Sequence, residues 1–130
     1  MKRFLEWIGI KEKIHGGDKP PSFDEKDIWW VYLGENVGHE EDGKGEFFLR
    51  PFIIIRKFNK ELLFGIPCSS IKKNNKYYFE VNIKSADFTT HALLSQPRVL
   101  SSKRLTNFVA KLGDGQFKKL KTALIEAVIE

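Results

Sequence analysis

The chain has 130 residues, the size of one ordinary domain, and 42% apolar residues with 13% aromatic suffice to close a compact core. No run of about 18 apolar residues occurs, and Met1-Lys2-Arg3-Phe4-Leu5-Glu6 meets charge too early for a secretory segment, so a soluble, cytoplasmic protein without a membrane span is expected. A single cysteine, Cys68, excludes an internal disulfide, while a formal charge of +5 admits an anionic partner without identifying one.

Taken in chain order, Phe4, Trp7, Ile8 and Ile14 fall near helical spacing over residues 2 to 14. Gly16-Gly17 and Pro20-Pro21 then end the pattern, which predicts a short N-terminal helix and linker over residues 1–22, packed on the body or offered to a partner. Residues 23–130 form the expected main domain. Asp27 to Leu33 is almost wholly β-prone, and Gly34 ends it. Phe52-Ile53-Ile54-Ile55 is a buried-strand run, opened by Pro51 and closed by Asn59. Leu62 to Cys68 follows a tight turn over 58–61, Tyr77 to Ile83 makes a fourth strand, and Ala92 to Leu94 with Arg98-Val99 a fifth. Short strands at turn-punctuated spacing suggest a small barrel. Phe117, Leu120, Leu124, Ala127 and Val128 then share a helical face, with Asp114 available as N-cap, so an amphipathic C-terminal helix should lie on that barrel. The class expected is α+β, mainly β.

Charge is distributed unevenly. Glu35 to Glu46 carries five acids and one base, Lys44, whereas Arg98 to Lys121 carries seven bases and one acid, Asp114. Arg50 heads the Phe52–Ile55 strand, so its guanidinium should project from the barrel rim, where its planar fork would suit phosphate oxygens or pair with the acidic loop. Ser69 and Ser70 end a hydrophobic strand, where hydroxyls hold a phosphate or a 2′-hydroxyl, or close a turn. His39-Glu40-Glu41-Asp42 sets an imidazole among carboxylates, a proton-transfer group or a solvated loop. Without a second histidine at ligand spacing no metal site is expected. Cys68 sits in an apolar stretch and reads as a buried, inert thiol, and His15 and His91 read as surface or packing residues.

Several segments, in order, resemble the MazF/PemK family of type II toxin–antitoxin systems. They are Asp27-Ile28-Trp29-Trp30-Val31-Tyr32-Leu33-Gly34, Val37-Gly38-His39-Glu40, Asp42-Gly43-Lys44-Gly45, Arg50-Pro51, Ile66-Pro67-Cys68-Ser69-Ser70, Ser95-Gln96-Pro97-Arg98 and Lys103-Arg104-Leu105. The resemblance implies a homodimeric SH3-like barrel with a C-terminal helix. It further implies a sequence-selective endoribonuclease of single-stranded RNA, neutralised by a cognate antitoxin, using no metal or other cofactor and leaving 2′,3′-cyclic phosphate and 5′-hydroxyl ends. Carried over by position, Arg50 is the catalytic arginine, Ser69 the active-site Thr or Ser, and His39 and Glu40 lie on a contributing loop. Arg50, Ser69 and His39 are therefore the catalytic candidates, and Glu40, Ser70, Gln96 and Arg98 the substrate-binding ones. Some PemK-type members carry an Arg and an Asp before Gln-Pro, where this chain has Leu93 and Ser95. That departure keeps a second expectation open, a non-catalytic SH3-like module binding RNA or protein.

Overall fold

The computed structural model describes residues 2–17, 19–38, 40–45 and 48–130. In chain order it has α1 (Phe4–His15), β1 (Asp27–Tyr32), β2 (Leu49–Lys57), β3 (Leu62–Ser69), β4 (Tyr78–Ile83), β5 (Phe88–Leu93), β6 (Arg98–Ser101), β7 (Leu105–Lys111) and α2 (Asp114–Val128). The strands form one antiparallel sheet in the order β4-β5-β3-β2-β1-β7, with β6 also on β3. Besides β2, β3 has two neighbours, because its first half, Leu62 to Gly65, pairs with β6 and its end, Cys68 and Ser69, pairs with β5. Among the described residues the end strands β4 and β7 do not pair, so the expected barrel is an open, curled sheet.

The unbroken apolar run in β2 follows from a sheet buried on both sides, because alternate residues point to opposite faces. Ile53 and Ile55 join Ile28, Ile66 and Cys68 beneath α2, whereas Phe52 and Ile54 join Val31, Leu63 and Leu105 on the other side. Helix α2 lies on the first face through Phe117, Leu120 and Leu124, each contributing roughly 1.5 to 3 kcal/mol of apolar burial. Of the helical stripe expected from sequence, Ala127 reaches the core edge but Val128 is exposed.

Several details differ from the sequence expectation. Leu49, not Pro51, begins β2, and Pro51 lies within it opposite Trp30. The expected fifth strand is two strands, β5 and β6, that pair with opposite ends of β3, and β7 went unforeseen. Its Thr106-Asn107 step interrupts the apolar alternation, and its pairing with β1 is broken by two register shifts. Asp114 is the first helical residue, not the N-cap, which is Gly113, and its carboxylate pairs with Lys26 Nζ at 2.5 Å. In α1 only Trp7 is buried, while Phe4 and Ile8 remain exposed. No described helix is long and apolar enough to cross a membrane.

Candidate active site

The acidic segment between β1 and β2 does not wave free in solvent. Asn36 staples it, donating its side-chain amide to Leu33 O and Glu41 O while its backbone N–H donates to Asp42 Oδ1. Lys44 and Leu49 exchange backbone bonds at 2.7 and 2.9 Å and close the loop on β2. This brings the loop over Arg50, the second residue of β2.

Arg50 is the centre of the arrangement, and it is buried, 5% exposed, not projecting from a rim as its strand-end position suggested. β2 starts one residue before it, and the loop folds back across it. Its Nε donates to Asp42 O at 2.6 Å, Nη1 donates to Cys68 O at 3.1 Å, and Nη2 pairs with Glu41 Oε1 at 2.5 Å. Burial lowers its pKa and the carboxylate of Glu41 foremost opposes that. A guanidinium has five N–H groups, more than these three bonds use.

Two clefts meet at the Arg50–Glu41 pair. One, of about 420 Å³, is lined by Arg50 with Trp30, Lys44, Ser70, Phe88 and Thr90. The other, of about 530 Å³, is lined by Glu41 with Asn36, Glu40, Gln96 and Arg98. Gln96 Oε1 accepts the Glu41 backbone N–H at 3.0 Å, which ties the loop to the β5–β6 turn. Burial lowers the Arg98 pKa, with Glu40 opposing. The structure thus groups Arg50 with Ser70, and Glu40 with Gln96 and Arg98.

Ser69 lies below this surface. The β2–β3 register, with Phe52 opposite Pro67, brings Arg50 level with Ser69. Ser69 is itself buried, its Oγ accepts from Ile71 N, and its carbonyl accepts from Thr90 Oγ1. Glu40 is exposed and its Oε1 accepts from Val37 N. His39 lies outside the described residues. Cys68 is buried and its thiol pKa is pushed up by desolvation, which keeps it inert at neutral pH. His91, in β5 opposite Ser69, is buried with neither ring nitrogen hydrogen-bonded, and its Nε2 is 3.7 Å from Glu80. Among the described residues no group of three or more His, Cys, Asp and Glu side chains is arranged to hold a metal.

Sequence reasoning missed Glu41 in favour of its neighbour Glu40, and it missed Lys44, Thr90 and the aromatic pair Trp30 and Phe88. Strand parity carries no signal for Trp30. Ile28 and Trp30 share one parity and Trp29 and Val31 the other, yet only Trp30 of these reaches solvent.

Residues 24–128 match the family model described as "PemK-like, MazF-like toxin of type II toxin-antitoxin system". The fold is similar to that of MazF from Deinococcus radiodurans (TM-score 0.70, 18% identity, covering 85% of this chain and 98% of that one). It is similar also to the MazE–MazF structure from the same organism (TM-score 0.63, 16% identity, 85% and 97% covered). A third likeness is to an endoribonuclease from Mycobacterial species (TM-score 0.62, 10% identity, 85% and 95% covered). At these identities the likeness establishes the fold. No curated protein matches by sequence.

Proposed function

Because the chain belongs to the PemK-like, MazF-like toxins of type II toxin–antitoxin systems, we propose that it is a sequence-selective endoribonuclease of the cytoplasm. It cuts single-stranded RNA without a metal, works as a homodimer and is restrained by a cognate antitoxin protein. Residues 23–130 are the toxin domain in this reading, and 1–22 its extension. The observation that carries the proposal is a buried arginine at the junction of two open clefts, one of them walled by Trp30, Phe88 and Lys44. An exposed indole and a half-buried phenyl ring beside a cation suit a single strand, whose bases stack while its phosphates seek charge.

The reaction is attack of a ribose 2′-hydroxyl on the adjacent phosphorus, with loss of the 5′-oxygen and formation of a 2′,3′-cyclic phosphate. Charge builds on the non-bridging oxygens, where Arg50 supplies donors fixed in advance by Cys68 O and Asp42 O. Ser70, on the cleft wall, meets the scissile phosphate, and Ser69, buried beneath it, braces that wall by accepting Ile71 N. His39 moves a proton, and Glu40, Gln96 and Arg98 bind flanking nucleotides. Internal nucleophilic attack requires no metal.

One observation favours a second reading, a module that binds RNA or protein without cutting it, because Glu41 already occupies Arg50. A single experiment separates the two. Purified protein is incubated with mixed-sequence RNA in excess EDTA and the product ends are identified. Cyclic phosphate and 5′-hydroxyl ends support the ribonuclease, cleavage that needs an added divalent ion removes this mechanism, and retention without cleavage supports the binding module.

A further inference from the structure

We infer that the N-terminal extension is part of the catalytic apparatus: Lys2, Arg3 and Trp7 are positioning residues that hold the acidic loop so that Arg50 is aimed at the scissile phosphate. The inference rests on the ribonuclease reading above. The family model begins at residue 24, so nothing in that match assigns the extension a role.

The contacts form an unbroken path from α1 to Arg50. Lys2 Nζ is 2.9 Å from Asp42 Oδ2 and donates to Asn36 O at 2.5 Å. Asp42 is the residue whose backbone carbonyl receives Arg50 Nε. Arg3 donates to Gly45 O at 2.9 Å, lies 3.6 Å from the buried carboxylate of Glu35, and stacks over the Phe48 ring at 4.1 Å. Trp7, buried, tilts against the same Phe48 ring with centroids 5.6 Å apart. Phe48 O in turn accepts Leu33 N and Gly34 N where the loop begins, and Leu49 and Arg50 follow it directly.

Physical chemistry gives this path a purpose. A loop carrying this many carboxylates repels an incoming phosphodiester unless its charge is compensated. Here Asp42 is met by Lys2, Glu35 by Arg3 and Glu41 by Arg50, so two of the three counter-charges come from the extension. The same contacts fix the Asp42 carbonyl, which sets the roll of the guanidinium about its long axis. Orientation of a transition-state donor affects the chemical step more than ground-state binding.

The test uses the full chain. Lys2→Ala removes a half-buried ion pair outside the apolar core. It should lower kcat about tenfold, a misplacement effect, with KM and thermal midpoint changing little because surface ion pairs contribute little to stability. Lys2→Arg should restore the rate. Asp42→Asn, which keeps the acceptor for Asn36 N, should lower kcat similarly, and the double variant should be no worse than either single one, since both break one path. Leu5→Ala, on the exposed side of α1, should change nothing. Unchanged or raised kcat in Lys2→Ala, an effect confined to KM, or additive losses in the double variant would each overturn the inference. Wild-type protein that cleaves no RNA would instead overturn the proposed function.

Discussion

Replacing Arg50 with Ala should damage both fold and function, and the two losses can be measured apart. The substitution strips donors from the carbonyls of Cys68 and Asp42 and leaves Glu41 without its counter-charge. Breaking a buried charged set costs about 3 to 5 kcal/mol when the remaining partner stays buried. Glu41 is 26% exposed on its side chain and rehydrates once released, so the cost falls below that range, to about 2 to 3 kcal/mol. With an unfolding entropy of roughly 2.1 cal/mol/K per residue, a chain of 130 residues should lose about 7 to 11 °C of thermal midpoint. Circular dichroism melting checks this. Cleavage is then assayed well below both midpoints, where loss of a preorganised donor should slow the reaction about a hundredfold or more. Ser69→Ala should do less, since a neutral hydroxyl contact contributes about 0.5 to 1.5 kcal/mol. A wild-type midpoint in Arg50→Ala would mean that the side chain sits at the rim after all. A wild-type rate in folded Arg50→Ala would remove the phosphate role.

Other measurements reach other parts of the molecule. Trp30→Ala should weaken binding of a non-cleavable 2′-deoxy single strand by about 1 to 3 kcal/mol, read by fluorescence titration, and unchanged affinity would clear the first cleft of base stacking. Cys68 should resist iodoacetamide in the native protein and react on unfolding. Its thiol ionises around 9.0 when solvated but is held up by burial in the fold, so its contribution to stability is present below that pH and lost as pH rises above it. Wild type should therefore lose up to about 1.4 kcal/mol per pH unit more than Cys68→Ala in that range, and parallel pH profiles would contradict the burial. Phe108, Val99 and Ile71 are exposed apolar residues, and a twofold pairing that covers such surface should give a light-scattering mass of about twice 15.1 kDa.

The parts of this fold that were legible in sequence are those fixed by local pattern. The apolar run of β2, the amphipathic face of α2 and the ordered family segments need no knowledge of distant contacts. What was illegible depends on where a loop lands. Nothing local distinguishes Glu41 from Glu40, yet one carboxylate meets Arg50 and the other turns back to Val37 N. Likewise Arg50 reads as a strand-end residue until the acidic loop is seen to close over it. β7 was hidden because its partner, β1, supplies the regularity that its own residues lack. The family motifs single out residues that line the two clefts, Arg50 and Ser70 in one and Glu40, Gln96 and Arg98 in the other, but which side chain of a motif faces a cleft is a tertiary fact: Ser69 is buried under a turn bond and Ser70 lines the wall.

Gly34 offers the sharpest link between sequence and the seating of α1. Its φ is +79°, where a side chain costs about 1 to 2 kcal/mol in backbone strain alone. The space a Cβ would occupy is also filled, because it would overlap the indole ring of Trp7. Gly34→Ala therefore cannot relax by a rotamer change of the alanine, and the indole must leave its seat against Phe48. Once it does, the remaining grip of Lys2 and Arg3 on the loop is mainly polar, and helices of this length are marginal in water without tertiary packing. The variant should keep its sheet, lose roughly 2 to 4 kcal/mol from strain plus lost aromatic burial, and be cut by trypsin at Lys11 and Lys13 faster than wild type. The same protein should show the kcat loss of Lys2→Ala, since releasing α1 releases Asp42 with it. If Gly34→Ala matches wild type in both tryptic resistance and midpoint, Trp7 does not occupy that position, and the path from the extension to Arg50 is broken at its first step.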